Sequence, residues 1–348
     1  MLARKIIVGF GLALVMAASP AASAQTAAGR IVFLSMRDGE SGLFVMEADG
    51  SDQTRLASGD VVAAVWSPDG CKIMFRPGLG EIHVMSADGA DRTVVVPRTG
   101  GGDPQSDFRS YFSPDGELIL FQARDLDSGM RDIFVANADG SNPINLTNNT
   151  GASMDWRPSW SPDGSKILFE SRRQPRGIYV MNADGTAPRR LAAGDSPTWA
   201  PDGSRITFVS ADRGHSDIVV MNADGTNVTP LTDGSGYARR FSWSPDGSRI
   251  AFESLDDDGV LLEVMNADGT NRTKIADQLM FTMGGSLPVS WSPDGSRIAF
   301  TRMAGGAEAL SLDIYTVRAD GSDLTRLTTG GMSVEPAWSP TSSCKAGS

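Results

Sequence analysis

Cysteine and histidine are nearly missing from this chain, two of each in 348 residues. Two cysteines cannot make a disulfide framework, so the fold must rest on its own apolar core. Two histidines far apart, His83 and His215, offer no metal-ligand spacing, and no Gly-x-Ser-x-Gly string marks a hydrolase nucleophile. No catalytic residue, metal ligand or cofactor motif is therefore assigned. Positive charge is short as well, with 31 basic residues against 42 acidic ones. Such a surface repels phosphate backbones and anionic lipid, which argues against nucleic acid as a partner. A sustained 3.6-residue apolar period is missing beyond residue 24, so almost no helix is expected.

Long apolar runs are equally scarce. The one candidate, Ile6 to Ala17, is about a dozen residues long, where a membrane-spanning helix needs roughly 20. It follows Arg4 and Lys5 and precedes Ala22-Ser23-Ala24, the order of a cleavable signal peptide. Residues 1–24 are read as that signal and residues 25–348 as the exported, periplasmic or secreted protein, with no membrane span. The cut removes two basic residues and no acidic ones, leaving 29 against 42.

What the chain has in quantity is repetition. Ala-Asp-Gly occurs seven times, with its glycine at Gly50, Gly89, Gly140, Gly185, Gly225, Gly269 and Gly321. Between these runs Trp-Ser-Pro-Asp-Gly, whole at Trp66–Gly70, Trp160–Gly164, Trp243–Gly247 and Trp291–Gly295, and varied at Phe112, Trp199 and Trp338. Six of the seven tryptophans fill this one slot. Ser-Pro-Asp-Gly suits a type I turn: Ser at its first position, Pro with fixed φ at the second, Gly at the fourth. Short alternating runs such as Lys166-Ile167-Leu168-Phe169 and Gly177-Ile178-Tyr179-Val180 read as strands. Each unit is thus four short antiparallel strands in about 45 residues, the size of a propeller blade.

The chain ends are complementary. The first strand, Arg30-Ile31-Val32-Phe33, lacks a Trp strand before it, and the last, Val334 to Trp338, is a Trp strand with nothing after it. A ring lets the last strand complete the first blade and removes both exposed edges. The expectation is a single all-β, seven-bladed propeller of four-stranded blades over seven repeats; six blades with a stray terminal strand is the alternative. The repeated tryptophans are read as core.

The unit Trp-Ser-Pro-Asp-Gly-Ser-Arg-Ile-Ala-Phe … Val-Met-Asn-Ala-Asp-Gly-Thr resembles the propeller repeat of the periplasmic TolB-like family, from about Arg30 to Pro340. The resemblance covers the propeller part only, since nothing here corresponds to the α/β domain that TolB carries ahead of it. It implies a non-enzymatic protein-binding or scaffold module of the cell envelope, acting as a monomer, with a peptidoglycan-associated lipoprotein as one implied partner. Similar repeats also form lids of prolyl-oligopeptidase-like peptidases and bodies of polysaccharide lyases. A secreted propeller enzyme acting on carbohydrate, lyase or hydrolase, is therefore the alternative function.

One constellation stands out as a candidate partner-binding site. The residue three before each repeated aromatic should open the innermost strand, near the channel mouth. In chain order these are Ala63, Arg109, Arg157, Ser196, Arg240, Pro288 and Glu335. Arg109, Arg157 and Arg240, with Glu335, are expected to form a mouth that binds carboxylates; otherwise each arginine pairs with a nearby acid, such as Asp107 or Asp155, and only lines the channel. Cys71 and Cys344 follow the Trp-Ser-Pro turns of adjacent blades and form a candidate disulfide. The acidic loops Asp125 to Gly129 and Asp256 to Gly259 begin like calcium loops but have Ala136 and Ala267 where the distal Glu belongs, and are read as solvated turns.

Overall fold

The computed structural model describes residues 29–341, apart from residues 38, 79–80, 98–110, 125–129, 149–153, 213–214, 235–236, 257–258, 278, 280–288 and 305–310. Among the described residues every regular element is a β-strand. Five four-stranded antiparallel sheets follow one another along the chain. Blade I comprises Val61–Trp66, Lys72–Pro77, Ile82–Ser86 and Thr93–Val96. Blade II comprises Tyr111–Phe112, Leu118–Arg124, Arg131–Asn137 and Ile144–Asn145. Blade III is Asp155–Trp160, Lys166–Ser171, Gly177–Asn182 and Arg189–Ala192; blade IV is Asp195–Trp199, Arg205–Asp212, His215–Asn222 and Thr229–Pro230. Blade V is Arg239–Trp243, Arg249–Asp256, Gly259–Asn266 and Thr273–Ala276.

The expectation of seven four-stranded blades is corrected here: the structure has five. The remaining strands form one eight-stranded sheet rather than two further blades. One half of it holds Val289–Trp291, Arg297–Ala304, Ser311–Arg318 and Thr325–Arg326; the other holds Met332–Trp338, Ile31–Arg37, Glu40–Met46 and Thr54–Ser58. The joining contact is a parallel bridge from Met332 to Leu312, beyond the two residues, Tyr315 and Thr316, that Thr325–Arg326 covers; blades II and IV have outer strands as short and stay separate. Within this sheet the last strand of the chain pairs antiparallel with the first, from Ile31 opposite Trp338 to Met36 opposite Met332.

Each sheet is apolar on both faces, and both are covered. Met74, Ile82, Val84 and Val95 of blade I pack on Phe112, Ile119 and Phe121 of blade II. The same arrangement passes from sheet to sheet until Ile31, Phe33 and Trp338 meet Ala299 and Ile314 between the halves of the eight-stranded sheet. A phenylalanine recurs in every second strand, at Phe33, Phe75, Phe121, Phe169, Phe208, Phe252 and Phe300, and all are buried. Five of the repeated tryptophans are buried too, and Trp66 is half-buried. Burying one aromatic side chain of this size contributes roughly 2–3 kcal/mol, so this ladder is the bulk of the core.

Outer strands have two residues or else four or five, and a side-chain device accompanies the short ones. In blades II and IV and in the eight-stranded sheet the outer strand following the Asp-Ile strand has two residues. There the Ile N–H donates to a threonine hydroxyl: Ile133 to Thr147 at 3.0 Å, Ile218 to Thr232 at 3.1 Å, Ile314 to Thr328 at 2.9 Å. Each hydroxyl in turn donates to the preceding aspartate, Asp132, Asp217 or Asp313. Blades I, III and V have four-residue outer strands, and the equivalent positions Ile82, Ile178 and Leu262 pair with backbone instead. The Asp-Ile…Leu-Thr clasp therefore replaces ladder hydrogen bonds where the outer strand stops early.

The turns on one end of the sheets are self-contained. In Ser-Pro-Asp-Gly the serine hydroxyl donates to the aspartate, as Ser161 does to Asp163 at 2.6 Å and Ser244 to Asp246 at 2.5 Å, and the Ser165 and Ser248 N–H groups donate to the same carboxylates. These hydrogen bonds, the serine hydroxyls first, hold the carboxyls of Asp163 and Asp246 down to about 2. Two residues after each Ala-Asp-Gly the backbone turns left-handed, at Asp52, Asp91, Asn142, Ala187, Asn227, Asn271 and Asp323. Six of these are Asn or Asp, the residues that tolerate this region; Ala187, at φ 52°, is the exception.

Two outcomes are expected. Ala187→Asn removes the misfit, and since Asn142 stands before Pro143 as Ala187 stands before Pro188, the change has a working precedent in the chain. It should raise the urea unfolding free energy by about 1 kcal/mol; an unchanged or lower value would show that the turn is not strained. For the aspartates, a folded-state value below the unfolded one, near 4, gives stability that is complete above that pH and lost as pH falls towards 2. Urea midpoints measured from pH 6 to pH 2 should fall in that window. The Ser161→Ala/Ser244→Ala protein should start lower at pH 6 and lose less across it.

Candidate functional site

The antiparallel order puts both tight turns, Ser-Pro-Asp-Gly and Ala-Asp-Gly, at one end of every sheet. The start of each innermost strand and the hairpin between second and third strands lie at the other. Turn lengths at the first end are constant, so the spacings of the Ala-Asp-Gly glycines, from 39 to 52 residues, vary through loops at the second. In repeat folds such one-sided length variation marks the face open to change of ligand. Innermost strands of successive sheets touch one another there, for example Asp155–Trp160 with Asp195–Trp199, and Met332–Trp338 with Val61–Trp66.

The ring positions among the described residues fall on this face, each beside a β-bulge. Arg157, Ser196, Arg240 and Glu335 all have left-handed backbone, φ 51°, 55°, 44° and 56°. The register of the innermost strand slips by one residue beside each. Proline follows Arg157, Ser196 and Glu335; without an N–H it leaves no donor stranded at the bulge. Left-handed non-glycine residues cost on the order of 1–3 kcal/mol each, so the geometry must be imposed by its surroundings.

Those surroundings are buried polar side chains that the sequence reading passed over. The residue after each second-strand phenylalanine includes Arg76, Gln122, Glu170, Glu253 and Thr301, all buried. From one sheet, or from one half of the eight-stranded sheet, it reaches the bulge of the next. Gln122 Oε1 accepts the Arg157 N–H at 3.0 Å, Glu170 Oε1 the Ser196 N–H at 2.6 Å, and Thr301 Oγ1 the Glu335 N–H at 3.2 Å. The visible signal was a polar residue in Phe-Gln, Phe-Glu and Phe-Thr where the alternation calls for an apolar one.

The arginines meet acids on their own sheets. Arg157 Nη1 donates to Glu170 Oε1 at 3.1 Å and to Ser196 Oγ at 2.6 Å. Arg240 Nη1 lies 3.8 Å from Glu253 Oε2. Burial pushes the Glu170 carboxyl up, and the Arg157 charge pulls the other way. Asp155, the acid expected beside Arg157, instead pairs with Arg173. Arg109 lies outside the described residues, as do Cys344 and most of both acidic loops. Cys71 is disulfide-bonded; its pairing with Cys344 is a proposal. His83 is buried in blade I, accepting at Nδ1 from Arg92 and so donating through Nε2 to Glu81. Trp156, the one tryptophan outside the repeated slot, is part of the strand Asp155–Trp160. Arg76, also in blade I, has its guanidinium pushed down to about 10 by burial. Among the described residues no group of three or more His, Cys, Asp or Glu is placed to hold a metal ion, and no helix is long and apolar enough to cross a membrane.

The fold and its two unlike faces define an all-β propeller of repeated sheets carried on a constant turn face. A family model described as the TolB beta propeller domain matches residues 104–278, half of the chain, and the chain belongs to that family. Among solved structures, TolB from Acinetobacter baumannii superposes with TM-score 0.57 at 18% identity, covering 90% of this chain and 67% of that one. The putative TolB from Agrobacterium tumefaciens has TM-score 0.57 at 26% identity, covering 77% and 95%. An oligogalacturonate lyase in complex with manganese has TM-score 0.61 at 17% identity, covering 79% and 82%, which is a likeness of fold alone. Comparison with curated proteins finds no match.

Glu170 offers a direct test of the inter-sheet bond. Glu170→Gln keeps an acceptor for Ser196, as Gln122 serves Arg157, whereas Glu170→Leu strands that N–H. Urea unfolding should show the Leu protein about 2 kcal/mol less stable than the Gln protein. Equal losses would mean that the acceptor does not hold the bulge.

Proposed function

We propose that the chain is an exported, non-catalytic binding module of the cell envelope that recognises a protein partner through its variable-loop face. The observation that carries this reading is the asymmetry of the molecule. The turn face is tiled with aspartates already satisfied by neighbouring hydroxyls and N–H groups, and its exposed apolar side chains are aliphatic, such as Ile144, Val228 and Leu324, while the opposite face gathers all the length variation and the paired bulge residues. Tyr237, Met36 and Met332 are there, each about half exposed. Mixed apolar and arginine contacts of this kind are what protein interfaces use. Arg157, Arg240 and Glu335 are candidate contacts, and Arg109 belongs to the same set by its place in the repeat. Membership of the TolB propeller family supports a periplasmic setting, with residues 1–24 as the leader, and a peptidoglycan-associated lipoprotein as a partner worth probing.

Photocrosslinking amino acids placed at Tyr237 or Met332, in cells expressing the full chain, should trap an envelope protein. The same probe at Lys166 or Asp184 on the turn face should trap none. Capture from the turn face alone, or from neither face, would end this reading.

A further inference from the structure

Among the described residues, Arg157 and Arg240 of the ring face acids, yet Arg172 on the same face does not. The second-to-third-strand hairpin of blade III, Ser171 to Gly177, carries Arg172, Arg173 and Arg176 in seven residues. Arg173 lies over Phe169 and Tyr179 and pairs with buried Asp155. Arg176 pairs with Asp195 at 2.9 Å, and its carbonyl accepts from exposed Arg190 at 3.1 Å. Arg172 is exposed, and among the described residues no carboxylate lies within ion-pair distance of it. Its guanidinium sits over the Trp156 ring, 5.2 Å from the centroid, and its N–H donates to the Met154 carbonyl at 2.9 Å. Trp156 is itself fixed in register opposite Glu170.

Around this hairpin stand five arginines, Arg157, Arg172, Arg173, Arg176 and Arg190, against three carboxylates, Asp155, Glu170 and Asp195, a local excess of positive charge on an acidic chain. A guanidinium held over an indole keeps N–H groups available and has less rotamer freedom left to lose, which favours bidentate capture of a carboxylate. Each of the three local acids faces an arginine, and the indole face towards Arg172 is covered. We propose that the rim of blade III beside blade IV is a carboxylate-binding site for an acidic peptide segment, with Arg172 as its anchor and Arg176 and Arg190 beside it. This deepens the protein-binding reading and rests on it.

The test uses the mature protein and a fluorescein-labelled decaglutamate peptide, read by anisotropy, alongside pull-down from envelope extracts. Decaglutamate should bind in a salt-sensitive way. The Arg172→Gln/Arg176→Gln protein should bind it at least about tenfold more weakly, a loss of one charged hydrogen-bonded contact. Lys166→Gln on the turn face should leave binding unchanged, and circular dichroism checks that each variant is folded. Equal binding by the double variant, or tighter binding of polygalacturonate than of decaglutamate, would overturn the assignment. If the wild type captures an envelope protein and the double variant captures it equally, the carboxylate site fails while the binding role stands. If the wild type captures nothing, it is the binding role that fails.

Discussion

A four-stranded sheet that is apolar on both faces is not stable alone, and the rest of this structure follows from that constraint. Each face needs another apolar sheet against it, and the repeated Phe and Trp slots supply interdigitating surfaces of the same shape again and again. The chain ends obey the same demand. Ile31–Arg37 would be a bare inner edge without Met332–Trp338, and Trp338 would have no partner surface without Ile31 and Phe33.

Stacked sheets then face a second problem, which is how to keep their register near the axis, where the innermost strands crowd together. The bulges answer it. A bulge leaves an extra backbone N–H unpaired by its neighbouring strand, and a buried Gln, Glu or Thr from the preceding repeat accepts its hydrogen bond. Apolar packing is tolerant of small slides; a buried hydrogen bond is not. The bulge positions are thus structural first. Arg157 and Arg240 stand where sequence spacing placed them, but the acids that meet them, Glu170 and Glu253, come from the second strand of the same sheet.

The division between the two ends of the sheets has a chemical basis. Ser, Asp and Gly in short turns satisfy one another locally, so that face offers few unsatisfied groups to a partner despite its many carboxylates. The other end is where hairpins change length and where a side chain such as Arg172 is free to be stacked, exposed and unpaired with acid. Charge counted over the whole chain hides this, because the acids gather in the turns and the arginine excess gathers at blade III.

Much of the fold was legible in order of residues alone. Ser-Pro-Asp-Gly and Ala-Asp-Gly mark turns through local φ preferences and local hydrogen bonds, and period-two apolar runs mark strands, both within reach of a few neighbouring residues. The equivalence of Arg157, Ser196, Arg240 and Glu335 was legible for the same reason, since a repeat fixes offsets. How many sheets stand separately was not. That depended on Met332 reaching Leu312, a contact between parts of the chain whose approach no local pattern encodes. Nor could offsets show that Phe-Glu at Glu170 meets the Ser196 N–H, or that Arg172 lies on Trp156, 16 residues away. Those are matters of which strands become neighbours. The sequence determined the turns, the strands and the apolar faces because each is a short-range property; tertiary packing decided which buried polar groups meet, and therefore which arginine is left for a partner.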